Sequence, residues 1–196
     1  MTQRWTQAQM KDVAAEERDL LGLGPLDPLD PYALASEHGI PVYPINELPD
    51  GICSQEAVRH FTVNRPKVWS AALIPAGPGR IILENTAHAR CRRCSSLAHE
   101  LGHHFLEHPF DNVLLTDENG CLFNKTREKE ANFLAAELLV PYQAALKAAF
   151  AEKTNDEIAA TYGVSTQFAQ MRMAGARKHA AHALARQARS RAPGKR

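Results

Sequence analysis

Three observations predict an α+β fold for this chain. Short β-prone runs at 40–43, 57–63, 67–74 and 80–84 are separated by Gly, Pro and Asn turn residues. Two later segments, around 97–106 and at 128–140, repeat apolar residues at helical spacing. After Pro141 only helical patterns follow. The expected architecture is a small twisted sheet, two long helices behind it and a helical C-terminal segment.

The elements follow in order. Met10, Val13, Ala14, Leu20 and Leu21 recur among charges, which predicts a first helix over 6–21 that Gly22 and Gly24 stop. Pro25 to Pro31 is a proline-punctuated connector, and Pro31 can open a second helix that Gly39 closes. Ile40-Pro41-Val42-Tyr43 reads as a short strand, with a proline suited to a sheet edge. Runs 57–63 and 67–74 read as strands, Pro75 to Gly79 as a turn, and Arg80 to Glu84 as a strand that Asn85 ends. Strand 80–84, if it is a sheet edge, can accept an extended peptide by strand addition. Residues 110–124 read as loop; helices follow at 128–140 and 142–152, then two shorter ones. The organisation expected is an N-terminal helix and proline-rich connector over 1–30, a zincin-like core over 31–153, a helical segment over 154–185 and a basic, disordered tail over 186–196. No internal repeat is evident.

The chemistry concentrates in His99-Glu100-Leu101-Gly102-His103, an H-E-x-x-H pattern. Histidines four apart lie one above the other on a helix face and can reach one tetrahedral metal, most often zinc. Glu100 then stands beside that metal, where it can accept a proton from the attacking water. Ser95-Ser96 offers an N-cap or polar first turn, and Leu97, Ala98, Leu101, Phe105 and Leu106 supply the apolar face. Gly102 costs a helix about 1 kcal/mol relative to Ala, which makes sense if another element packs close to that turn.

A catalytic zinc site usually has three protein ligands and one open position. The metzincin pattern, with Gly three and His six residues after the second His, fails because those positions are Leu106 and Pro109. A gluzincin-type site takes a Glu from a later helix, and Glu128, Glu130 and Glu137 are the candidates. Glu130 and Glu137 fall on one face, two turns apart, and Glu128 on another. Ala131, Ala135 and Ala136 would let this helix approach the metal helix closely. The layout is that of a zincin-like metallopeptidase.

Ala98-His99-Glu100-Leu101-Gly102-His103, followed by the run from Glu130-Ala131-Asn132 through Leu138-Leu139-Val140-Pro141, resembles the ImmA/IrrE family of metallopeptidases. Residues 90–96, strand 80–85 and residues 34–42 are also similar, so the resemblance spans roughly 31–173. It implies zinc bound by His99, His103 and Glu130, with Glu100 as general base. It also implies cleavage of a regulatory protein, commonly a helix-turn-helix repressor of mobile-element or stress genes. Leu134 stands where the family usually has Phe, a packing change. Cys91 and Cys94 stand where polar residues are usual.

Other residues invite weighing. His104 lies about 100° round the helix from His103 and suits a surface or supporting role. His108 suits a helix-dipole contact or a supporting or substrate role. Cys91-Arg92-Arg93-Cys94 is a C-x-x-C without partners for a zinc knuckle; free thiols are expected, or a redox switch if the arginines lower a thiol pKa. Cys121 reads as a small buried side chain, or as a thiolate that blocks the open zinc position. Residues 154–173 resemble a helix-turn-helix, with Gly163 and an N-cap Ser165 in the turn. Gln167, Gln170 and Arg172 would be its readers of DNA, but Ile158, Ala159, Val164, Phe168 and Met171 fit packing or substrate docking better.

The chain has 196 residues with net charge +1, which fits one domain and not an obvious nucleic-acid binder. Residues 177–196 nevertheless hold seven Lys/Arg and no acid, enough for weak DNA contact through the tail. No apolar run reaches membrane-spanning length, and the N-terminus lacks the apolar core of a signal peptide, so no membrane partner and a cytoplasmic location are expected. Four cysteines are too few for a secreted disulfide framework. The reading is a zinc-dependent endopeptidase. Its rivals are a non-catalytic, antitoxin-like binding partner and a DNA-associated regulator; the intact Glu100 opposes the first, and the open metal position the second.

Overall fold

The computed structural model describes residues 4–48, 52–109 and 125–191. Helix α1 (Gln7–Leu20) begins at a capping box in which Thr6 and Gln9 satisfy each other's backbone donors. Helix α2 (Pro31–Glu37) is capped by Asp30, with Pro31 as its first residue. Strand β1 (Val42–Pro44) follows, then helix α3 (Gln55–Arg59) and a π-helical turn, His60–Asn64. Strands β2 (Ala71–Ala76) and β3 (Gly79–Glu84) form a hairpin. The rest is helical: α4 (Arg90–Phe105), α5 (Lys125–Leu139), α6 (Tyr142–Phe150), α7 (Asn155–Tyr162) and α8 (Thr166–Arg191).

The sheet runs β1-β3-β2, with β1 parallel and β2 antiparallel to β3. Strand 80–84 is therefore central, which excludes the edge reading of it; β1 and β2 are the outer strands, and among the described residues β2 has no strand on its far side. The register pairs Ala76 with Gly79, leaving the two-residue turn Gly77-Pro78. Gly77 takes φ +59°, as a tight hairpin of this kind needs at its first position.

Residues 57–63 are helical rather than extended. Ser54 caps this helix by accepting from Ala57 N, and the Thr62 hydroxyl donates to Val58 O. These local bonds outweigh the β propensity of Val58, Phe61, Thr62 and Val63. Asn85, fully buried, then fixes the following loop by donating to the carbonyls of Phe61, Pro66 and Trp69. Helix α4 starts at Arg90, so Ser95-Ser96 lie inside it, and the Ser95 hydroxyl donates back to Cys91 O.

Two apolar clusters share the long helices. One joins Leu34 of α2, Ile82 of β3, Leu97 and Leu101 of α4, and Leu134 and Leu138 of α5. The other joins Leu139 and Val140 to Ala144, Ala145, Ile158, Tyr162, Val164, Ala169 and Met173. The α7–α8 unit is thus packed into the core, joined by Gly163 in the left-handed conformation. Met171, expected inside, is 59% exposed. The last helix is one 26-residue element, Thr166–Arg191, which runs on into the segment expected to be tail. No single helix among the described residues is long and apolar enough to cross a membrane. Helices α5 and α6 together have the composition, but they bend by 56° at the break between them and carry buried core residues.

Polar side chains tie these layers. Arg18 of α1, 3% exposed, donates to Leu138 O at 2.5 Å, to Gly24 O at 2.8 Å and to Asp27 O. Arg172 of α8 donates to Val140 O and to Glu137, whose other oxygen accepts from Tyr142 N. Glu84 of β3 accepts from Arg93 of α4 through two bonds and from the Tyr32 hydroxyl of α2. Burial pushes the Glu84 carboxyl up, but the Arg93 and Tyr32 bonds outweigh it and leave the pKa below the ordinary 4.5.

Two predictions follow from this packing. A Cβ on Gly102 would stand 2.9 Å from Ala131 O and 3.2 Å from Ala131 Cα. Gly102→Ala is expected to lower stability by a net of about 1–2 kcal/mol in urea unfolding despite the better propensity of Ala; a stabilised variant would contradict the close approach. Glu84→Gln is expected to cost about 2–3 kcal/mol at neutral pH. Because the folded pKa is depressed, that contribution is complete above the ordinary value and fades as pH falls through the lowered one. The difference between wild type and variant in thermal unfolding should therefore narrow on acidification, and a difference that widens would refute the assignment.

Candidate metal centre

Helices α4 and α5 build the site. The absent side chain at Gly102 lets the α5 backbone settle against α4 at Ala131. That crossing brings the first turn of α5 over the His99–His103 face. The Nε2 atoms of His99 and His103 lie 3.1 Å apart. Glu128 Oε2 is 3.3 Å from His99 Nε2, and Glu128 Oε1 is 3.3 Å from His103 Nε2. Among the described residues, His99, His103 and Glu128 form the one group of three potential ligands within 4.8 Å of one another.

The third carboxylate beside the histidines is thus Glu128, not Glu130. Glu128 and Asn132 are four apart on the α5 face turned to α4, and Glu130 projects about 200° away from Glu128. There Glu130 meets Trp5 N at 3.1 Å and His108 Nε2 at 3.2 Å. Glu137 is spent on Arg172 and Tyr142 N. Counting turns from the aligned motif could not reveal this, because Glu128 reaches the site from the helix start with a long side chain. The spacing Glu128-x-x-x-Asn132 was the available signal.

The donor set fits a metal ion. Ligands about 2.0–2.1 Å from a tetrahedral zinc stand roughly 3.3 Å from one another; the two Nε2 atoms are 3.1 Å apart, and each has one Glu128 oxygen at 3.3 Å, Oε2 for His99 and Oε1 for His103. Both histidines have their other ring nitrogen engaged: His99 Nδ1 with Asn132 Oδ1 at 3.1 Å, and His103 Nδ1 with His108 Nδ1 at 2.9 Å. With a proton on each Nδ1, both Nε2 lone pairs face the group. His99, His103 and Glu128 can therefore hold a metal ion.

The electrostatics agree. The bonds from His103 and His99 hold the Glu128 carboxyl far below its ordinary range. Burial works against the charged form of His99, but Glu128 and Glu100 outweigh it and its pKa is raised. A charged carboxylate and cation-tolerant imidazoles converge where an ion would add positive charge. Glu100 Oε2 accepts from Leu73 N on the free edge of β2 at 3.0 Å. Burial raises the Glu100 pKa against the pull of His99, His103 and that N–H, the shift expected of a carboxylate that accepts and returns a proton.

The neighbouring residues are placed as follows. His104 leaves the ligand face; its Nδ1 lies 2.8 Å from Arg80, and burial with the Arg80 and His38 charges lowers its pKa to about 4. Cys53, Cys91 and Cys94 are free thiols. The alternative of a thiol activated by the arginines gains no support at Cys94: burial pushes that thiol up, and Arg93 is engaged by Glu84. Cys121 lies outside the described residues. Arg172 is not available as a DNA reader, since it holds Val140 O and Glu137.

An H-E-x-x-H helix backed by a sheet and crossed by a second carboxylate-bearing helix defines a zincin-like peptidase fold. The sequence profile of the IrrE N-terminal-like domain matches residues 35–174, and the chain belongs to that family, peptidase M78. A search of curated proteins found no match.

Proposed function

We propose that the protein is a zinc-dependent endopeptidase acting in the cytoplasm on a folded regulatory protein, with a helix-turn-helix repressor as the favoured substrate. The observation that carries the proposal is the position of Glu100, next to a three-ligand group and anchored on the edge of β2. A purely structural metal site is normally closed by four protein ligands and has no use for a further carboxylate beside it.

His99, His103 and Glu128 would hold the zinc. When bound, it supplies a Lewis acid that makes water acidic and polarises a carbonyl. The β2 edge, with Leu73 N on its outer side, offers backbone partners to an extended peptide. Docking there would replace the Leu73–Glu100 bond with substrate contacts and free Oε2 of Glu100. Glu100 would then take a proton from the attacking water and deliver it to the amine of the departing product, so one carboxylate serves both halves of the hydrolysis.

The substrate class is drawn from the family. The α7–α8 unit supports a protein partner over direct base readout. Its core face is buried and Arg172 is engaged, which leaves Gln167, Gln170 and Met171 exposed on the outer face. The basic residues of 177–196 would hold the enzyme near a DNA-bound substrate by phosphate contacts.

Glu100→Gln is expected to bind zinc with near wild-type affinity while losing at least about a hundredfold in cleavage. His103→Ala should lose both. The measurement is a comparison of new protein N-termini in host cells expressing either chain, under mild DNA damage with added zinc. A terminus inside a repressor that requires Glu100 supports the reading, and cleavage retained in Glu100→Gln would refute the mechanism.

A further inference from the structure

We propose that His108 is a positioning residue for the metal ligand His103, and that Glu130 and the N-terminal segment at Trp5 hold it in that role. The inference rests on the reading of His103 as a ligand.

For His103 Nε2 to offer its lone pair, the ring proton must sit on Nδ1. Among the described residues, the group placed there is His108 Nδ1, at 2.9 Å. His108 must then accept at Nδ1 and carry its own proton on Nε2. That nitrogen lies 3.2 Å from Glu130 Oε2, an acceptor. The other oxygen, Oε1, accepts from Trp5 N at 3.1 Å. Every donor in this chain meets an acceptor in one sense only. The opposite His108 tautomer would point its Nε2 lone pair at the carboxylate and its Nδ1 proton at His103, which would force the His103 proton onto the ligating nitrogen. Glu130 thus selects the tautomer of a ligand it does not touch.

The backbone is built to the same end. Helix α4 closes with His108 N donating to His103 O and Glu107 N to His104 O, a Schellman closure. Glu107 occupies the left-handed position at φ +50°, where a glycine is usual. This turn swings His108 back beneath His103. His108 and Glu130 are 7% and 6% exposed, too buried for a surface pair. Trp5 closes the arrangement from outside, and its indole N–H donates to Leu106 O at the end of α4. The segment before α1 is therefore continuous with the metal site.

Zinc affinity, measured by competition with a chromogenic chelator, and the visible spectrum of the cobalt-substituted protein test this on the full chain. Glu130→Gln and His108→Ala are each expected to weaken zinc binding by about 10–100-fold, with the cobalt band pattern kept. His108→Asn, whose Oδ1 can accept from His103 Nδ1, should recover part of the loss; a merely space-filling role would not be rescued so. Trp5→Ala should weaken binding by a smaller factor. Glu128→Gln should change the cobalt spectrum itself. Wild-type affinity in Glu130→Gln and in His108→Ala would overturn the positioning role while leaving the metal reading intact. Loss of the cobalt spectrum in Glu130→Gln, with Glu128→Gln unaffected, would overturn it by making Glu130 a ligand. A wild-type chain that behaves as His103→Ala and binds no zinc would overturn the metal reading as well.

Discussion

The contact of α4 with α5 at Gly102 and Ala131 is the constraint on which the site depends. The absence of one methyl group lets the backbone of α5 lie against α4, and only at that separation do side chains from the first turn of α5 reach the His99–His103 face. Leu97 and Leu101 on one helix and Leu134 and Leu138 on the other seal the crossing with side chains that are almost wholly buried. Hydrophobic packing fixes the angle of approach, and the polar groups then have one arrangement open to them. The site is a consequence of a helix crossing before it is a list of ligands.

Around that crossing, each histidine of the group is held from behind. Asn132 serves His99 and His108 serves His103. Glu100 is anchored on a sheet edge rather than left to solvent. Burial raises the proton affinity of Glu100, while Glu128 is pulled the other way by the imidazoles. Two carboxylates within one small group are thus shifted in opposite directions. The N-terminal segment, which lies outside the matched family region, supplies part of the support through Trp5 and Arg18.

Much of this was legible in the sequence, and the failures have physical causes. The H-E-x-x-H pattern identified His99, Glu100 and His103 as a unit because helical periodicity alone brings i and i+4 together. Gly102 with Ala131 announced a close helix pair because only small residues permit one. The ends of α1 and α7 were readable from Gly22 and Gly163, and the bounds of α2 from Pro31 and Gly39. The third carboxylate was not, because Glu128 and Glu130 differ only in which side of α5 faces α4, a tertiary fact. Residues 57–63 misled because their β-branched and aromatic side chains carry less weight than the Ser54 cap and the Thr62 back-bond. Strand 80–84 was taken for a possible edge because the parallel pairing of β1 beside it is a long-range contact that local sequence does not encode.

The measurement that bears most directly on this account is anomalous X-ray scattering at the zinc edge from crystals of the zinc-loaded protein. The account predicts one strong site bounded by His99 Nε2, His103 Nε2 and Glu128, with Glu100 beside it and His108 still joined to Glu130. An ion held by Glu130, or by the thiols of Cys91 and Cys94, would contradict it.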